Sequence, residues 1–250
     1  MNFELNINGS AKSILDFIFP PKCILCSQVD HSSSYPFLCS KCKSEFKPIR
    51  EPFCTICGMP FLSVHTENHI CSACLKEKPR FKILRSAGIY GGTLESAIKA
   101  FKYGKRRFLH KPLADFILEI CSASLHDLEF DLIVPVPISK RKLRERGFNQ
   151  AYLLASRIAF TLGKTVDWQN LVKAKETHPQ VEMELRKRKL NVEDSFIIKE
   201  PQLYKGKKVL LIDDVCTSGS TLNECSRILK RQGGVKKIYC LTLARTLINY

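Results

Sequence analysis

Asp213 and Asp214 stand side by side in the chain, and Thr217-Ser218-Gly219-Ser220-Thr221 follows them closely. Adjacent carboxylates can hold ribose hydroxyls or a hydrated Mg²⁺ ion. A run of hydroxyl side chains around one glycine, placed at a helix start, offers O–H and backbone N–H groups to a phosphate. Together the two features read as a site for a sugar that carries a phosphate. The elements that must position them are legible on either side. Val209-Leu210-Leu211-Ile212 is apolar without alternation, as in a strand buried on both faces. Leu222, Cys225, Ile228 and Leu229 recur at helical spacing, so strand, loop and helix follow in that order. Walker-B and receiver-type sites share the hydrophobics-then-acids look, but no triphosphate P-loop accompanies this one. Gly163-Lys164-Thr165 mimics its end, yet Ile158 stands where the first glycine must be.

A second chemistry lies near the N-terminus. Four CxxC pairs are present: Cys23/Cys26, Cys39/Cys42, Cys54/Cys57 and Cys71/Cys74. Each pair points two thiolates at one ion, and two pairs complete a tetrahedral four-cysteine site. Few core hydrophobics lie between them, so metal binding would supply the folding energy of this module. Two structural Zn²⁺ ions are expected, paired sequentially or cross-braced on the same eight ligands. His31, His65 and His69 are rival ligands of lesser weight, and redox CxxC chemistry needs only one such pair. Cys121, Cys216, Cys225 and Cys240 lack metal spacing and read as core or loop cysteines.

The 250 residues suffice for one substantial core plus a small module. A net charge of +16 implies polyanionic partners: nucleic acid, phosphorylated substrate or an acidic membrane surface. No run is long enough to span a membrane, and the N-terminus lacks the pattern of a signal peptide. Cytosolic conditions then favour metal ligation over disulfides for the twelve cysteines. Residues 1–20 form an apolar segment, 21–80 the cysteine module, and 81–250 the larger domain.

In that domain Leu94, Ala97, Ile98 and Phe101 mark one helix, Leu113, Phe116, Ile117 and Ile120 another. Between them Lys102, Tyr103, Lys105, Arg106, Arg107 and Phe108 interleave cations with rings. The run suits either a solvated face or a single strand of nucleic acid, phosphates on the cations and bases on the rings. Asp131–Val134 is a further buried-strand candidate, followed by Pro135-Val136-Pro137 and the cations Lys140, Arg141, Lys142, Arg144 and Arg146. A helix through Ala151, Leu154, Ala155 and Ile158 comes next, and Ile238–Ala244 is the last strand. Alternation of strand and helix predicts an α/β fold, a doubly wound parallel sheet with its ligand at the carboxyl edge. Residues 173–191 carry Lys173, Lys175, His178 and Arg188 with little periodicity, which suits a basic lid over a pyrophosphate leaving group. Lys173, Lys175 and Arg188 are its candidate catalytic cations.

The stretch from Val209 to Thr221 resembles the phosphoribosyl-pyrophosphate (PRPP) motif of type I phosphoribosyltransferases, with Ser218 where a threonine is usual. From about Phe19 onward, the chain resembles ComF-family proteins, associated with bacterial competence for DNA uptake. The double cysteine ribbon carries that resemblance, with Arg85-Ser86-Ala87, Tyr90-Gly91-Gly92, Arg146-Gly147-Phe148-Asn149-Gln150 and Thr177, Gln180, Arg188 and Asn191. It implies that Asp213 and Asp214 face ribose and Mg²⁺, and that Thr217 to Thr221 wrap the 5′-phosphate. Val136 and the cations from Lys140 to Arg146 would lie near pyrophosphate, and Arg141, Arg144 and Arg146 join Lys102–Phe108 as candidate nucleic-acid contacts. Lys173 and Lys175 stand where relatives often carry arginine, which replaces a bidentate fork by a point charge. The resemblance further implies handling of single-stranded DNA during transformation, in the cytoplasm or at the inner membrane face, beside other DNA-uptake proteins. The alternative is an active transferase of ribose 5-phosphate to a nitrogenous acceptor.

Overall fold

The computed structural model describes residues 20–61, 67–174 and 195–247. The apolar segment before Pro20, His65, and the lid residues Lys175 to Asn191, including Arg188, therefore lie outside the described residues.

Five strands form one parallel sheet: β1 (Ile83–Ile89), β2 (Leu132–Pro135), β3 (Thr165–Val166), β6 (Lys208–Cys216) and β7 (Lys237–Arg245). Their order is β1-β7-β6-β2-β3, and every neighbouring pair is parallel. β4 (Leu171–Lys173) and β5 (Phe196–Ile198) make a separate antiparallel pair. Leu210 and Ile212 point to one face, where α3 (Gly92–Tyr103), α4 (His110–His126) and α6 (Gln150–Leu162) lay Leu94, Ile98, Leu113, Ile117, Leu154 and Ile158. Val209 and Leu211 point to the other, where α7 (Ser220–Arg231) contributes Leu222, Cys225, Ile228 and Leu229. Burial on both faces explains the unbroken apolar run of β6. The fold is the expected doubly wound sheet.

The cysteine module holds α1 (Ser40–Ser44) and α2 (Ser72–Lys76) and covers the free edge of β1. Ile49 N–H donates to Ala87 O, Ile89 N–H to Lys47 O and Leu84 N–H to Ile56 O, at 2.7 to 2.9 Å. An edge strand that would otherwise offer open backbone groups is closed by the chain's own ribbon. Gly58 makes the fit: its φ is +66°, and a Cβ there would lie 2.6 Å from Leu84 O. The halves of the ribbon differ in anchorage. Cys23, Cys39 and Cys42 join the main core with Leu38 and Phe46, whereas Cys54, Cys57 and Cys74 form a small cluster with Met59. The first knuckle's hydrophobics thus pack into the larger domain, while Met59 and Phe61 stay with the second.

Candidate functional site

The zinc ligands group sequentially. Cys23, Cys26, Cys39 and Cys42 bring their sulfurs within 4.8 Å of one another, and so do Cys54, Cys57, Cys71 and Cys74. The contacts Cys26–Cys39 at 3.6 Å and Cys57–Cys71 at 3.7 Å match the edge of a tetrahedron with ~2.3 Å metal–sulfur bonds. Eight soft thiolates in two tetrahedral sets fit Zn²⁺, and the cross-braced alternative is not the one formed. Among the described residues no histidine joins either group: His31 is exposed, and His69 stacks on Phe61 at 3.8 Å. Cys121, Cys216, Cys225 and Cys240 are all buried, as core cysteines.

At the carboxyl edge, β6 continues through both aspartates to Cys216 before the loop begins. Thr217 and Ser218 are exposed, and the Ser218 and Ser220 hydroxyls lie 2.8 Å apart. Gly219 turns the chain at φ +79° into α7, whose twelve residues start without a side-chain cap. An uncapped N-terminus of that length leaves backbone N–H groups and the positive end of the helix dipole facing the loop. The loop therefore has the donors that a phosphate requires.

The acids are ringed by cations. Lys102, at the end of α3, places its ammonium 3.0 Å from Asp214 Oδ2. Asp213 Oδ1 accepts the N–H of Asp214 at 2.8 Å. The remaining carboxylate oxygens suit ribose hydroxyls or a Mg²⁺ that keeps most of its water. Burial, then the Asp214 carboxylate, pushes Asp213 up to about 7, against the Asp214 N–H, Lys102 and Lys142. Lys173 ends β4 with its ammonium 5.5 Å from the Phe196 ring centre. Burial lowers its pKa, while Cys225 and Asp213 act in the opposite sense. Of the three proposed catalytic cations, Lys173 alone falls among the described residues. The side chain of Val136 is buried among the apolar residues on the α7 side, and its N–H donates to Ile212 O.

The two basic stretches converge. Residues 140–146 form a helix, α5 (Lys140–Arg146), capped by Ser139. Arg146 sits 5.2 Å over the Tyr103 ring, and Arg107 donates to Gly147 O at 2.8 Å. Tyr103, Lys105, Arg106, Arg107 and Arg144 are exposed, while Arg141 pairs with Glu145 at 2.8 Å. Phe108 is half-buried with its ring 4.5 Å from Phe37, so it is a packing residue more than a platform for bases. Lys102, of the candidate nucleic-acid set, is also the residue that pairs with Asp214. Arg245, which no local pattern marked, ends β7 at the same sheet edge, and a lone cation after an apolar strand was its only signal.

These features define a protein of phosphoribosyltransferase fold fronted by a double zinc ribbon. Residues 14–75 match the family described as a double zinc ribbon domain, and residues 145–248 the phosphoribosyl transferase domain. The DNA utilization protein YhgH of Salmonella typhimurium is 31% identical over 232 residues, which cover 91% of this chain and 98% of that protein. Competence protein F of Haemophilus influenzae is 32% identical over 213 residues, 83% of this chain and 90% of its own. Competence protein ComFC of Bacillus subtilis is 27% identical and covered to 84%, as is this chain. Adenine phosphoribosyltransferase from Thermoanaerobacter pseudethanolicus matches 61% of this chain and 84% of its own at 18% identity, with a TM-score of 0.34, too distant to carry an argument. The chain belongs to the ComF family of competence and DNA-utilization proteins. No helix among the described residues is long and apolar enough to cross a membrane.

Proposed function

We propose that this protein handles incoming single-stranded DNA during natural transformation, with a PRPP-type site that holds a sugar phosphate together with Mg²⁺. The observation that carries the reading is the Lys102–Asp214 ion pair, because it joins the basic segment 102–108 directly to the acid pair at the sheet edge. A strand lying on Tyr103, Lys105, Arg106 and Arg144 would be felt at Asp214 through α3. The names of the relatives, competence and DNA utilization proteins, point the same way. The protein would act in the cytoplasm, on a strand delivered by uptake proteins of the inner membrane.

Single-stranded DNA binding to the full chain, measured from low to moderate salt, is expected to weaken with a log–log slope of several charges. Charge reversal at Lys105 and Arg144 together should reduce affinity at least tenfold at low salt and flatten that slope. Tyr103→Ala should cost about 1–3 kcal/mol if a base stacks on the ring. A flat slope, or unchanged binding in both variants, would remove the DNA reading. The second reading, transfer of ribose 5-phosphate from PRPP to a nitrogenous acceptor, is favoured by a cleft that opens beside the phosphate loop. Pyrophosphate release with PRPP, Mg²⁺ and a panel of bases would establish it, and silence across the panel would count against it.

A further inference from the structure

Between the second zinc knuckle and α7 lies a cleft of about 280 Å³. That falls just below the ~300–1,000 Å³ typical of small-molecule sites and suits one ring with a substituent. Met59, Phe81 and Leu84 supply its apolar walls, and Ala73 stands at an exposed position on its rim. Ser218, Gly219 and Ser220 form another side, so the cleft shares a wall with the phosphate loop.

Arg245 also lines this cleft, and only 4% of it is exposed. Its Nη1 donates to Cys57 O at 2.7 Å and lies 3.5 Å from Cys216 Sγ. Its Nε is buried with no acceptor, and its two bonds among the described residues go to a carbonyl and a thiol, not to a carboxylate. A buried guanidinium keeps its charge, and leaving its donors unmatched is costly. The neighbouring thiolate centre offsets that charge at a distance, but its sulfurs give Nε nothing to bond. Asn223 adds a neutral group. Its Oδ1 accepts from Arg80 N–H at 2.6 Å, which leaves its NH₂ to donate to a ring nitrogen or carbonyl.

We propose that the cleft is a binding seat for a small heteroaromatic acid: the ring between Met59, Phe81 and Leu84, the carboxylate against Arg245, a ring heteroatom toward Asn223. Arginine suits a planar anion in an apolar setting better than lysine does, because its fork matches a carboxylate. The seat's role as the acceptor half of the sugar-phosphate site rests on the reading above; its binding of the acid does not.

Calorimetric titration of the zinc-loaded full chain with nicotinate and orotate, and with nicotinamide and uracil as neutral counterparts, tests the proposal. The acids should bind at least tenfold more tightly than the neutral rings. Arg245→Gln should reduce acid binding at least tenfold, and Arg245→Lys should recover it only in part. Ala73→Trp, on the exposed rim, should block the cleft while zinc content and unfolding temperature stay unchanged; it decides the matter should Arg245→Gln misfold. Equal binding of acids and neutral rings, no binding of either, or acid binding unaffected by Ala73→Trp would overturn the proposal. PRPP with Mg²⁺ is titrated in parallel. Acid binding without PRPP binding sustains the seat and removes the sugar-phosphate reading, whereas PRPP binding without acid binding removes the seat alone.

Discussion

Serine at Cys42 is expected to cost the protein one zinc ion together with its main cooperative unfolding transition, whereas serine at Cys74 costs one zinc ion and leaves that transition in place. The asymmetry follows from where each knuckle is anchored. Around the first, Phe46 meets Phe116 edge-on at 5.3 Å, and the Tyr35 hydroxyl donates to Asp115, which Arg157 also grips at 2.8 Å. Lys43 reaches Glu119 at 3.2 Å. All these partners belong to α4 and α6, so loosening the first knuckle opens the face of the sheet that they cover. The second knuckle keeps its own cluster of cysteines and Met59. It meets the domain along β1 and the end of β7, where Leu84, Arg85 and Arg245 bond to Ile56, Thr55 and Cys57, and none of these bonds reaches the α4 and α6 face. Zinc binding to such modules contributes ~10–16 kcal/mol at neutral pH. A typical domain has ~5–15 kcal/mol of net stability, so losing the first site can exhaust it. Zinc content and near-ultraviolet circular dichroism on heating check both variants. Equal melting curves for the two, or two zinc ions retained in either, would contradict the division of labour.

The same contrast shows what could be read from the chain. β6, the helices of the larger domain and the eight ligand cysteines were legible because each follows from a local repeat: an apolar run, a 3.6-residue period, a CxxC spacing. β1 escaped because Arg85, Ser86 and Gly88 interrupt its apolar pattern. Its environment explains them. Arg85 lies over the Phe53 ring at 4.8 Å, the Ser86 hydroxyl meets Thr242 at 2.7 Å, and Gly88 admits Leu94, Phe116 and Lys47 O. An edge strand roofed by a ribbon need not look like an open one. β3, β4 and β5 have only two or three residues each, too short for any period. Two site residues have partners that no local pattern announces. Lys102 sits inside a basic run, and only the fold reveals Asp214 as its partner. Val136, which the resemblance places near pyrophosphate, has its N–H engaged by Ile212 O, a pairing that spacing does not show. Pairings across the fold leave no mark on local spacing.

Asparagine at Asp213 should abolish sugar-phosphate binding and stabilise the protein above neutral pH. The carboxyl is pushed up to about 7 by burial and by Asp214, whereas an unfolded aspartate titrates near ~4. Between these values the folded state holds a proton on Asp213 that the unfolded chain has lost, so the contribution of this group to stability falls as pH rises from about 4 to about 7. Asparagine keeps the shape and removes the charge. The variant should therefore match the wild type near pH 4 and exceed it at pH 8, by at most about 4 kcal/mol given the size of the shift. Binding has the opposite dependence. A carboxylate that holds Mg²⁺ or ribose must be ionised, so wild-type affinity for PRPP with Mg²⁺ should climb as pH rises through 7 and then level off. The variant should bind at least a hundredfold more weakly at every pH. Thermal melts at pH 5 and pH 8, with titration of PRPP and Mg²⁺ at the same two values, read both halves. The site would then be one where function keeps a charge that folding alone would discard. Retained PRPP affinity in Asp213→Asn, or a variant no more stable relative to the wild type at pH 8 than at pH 5, would mean that the acid pair serves the fold and not a ligand.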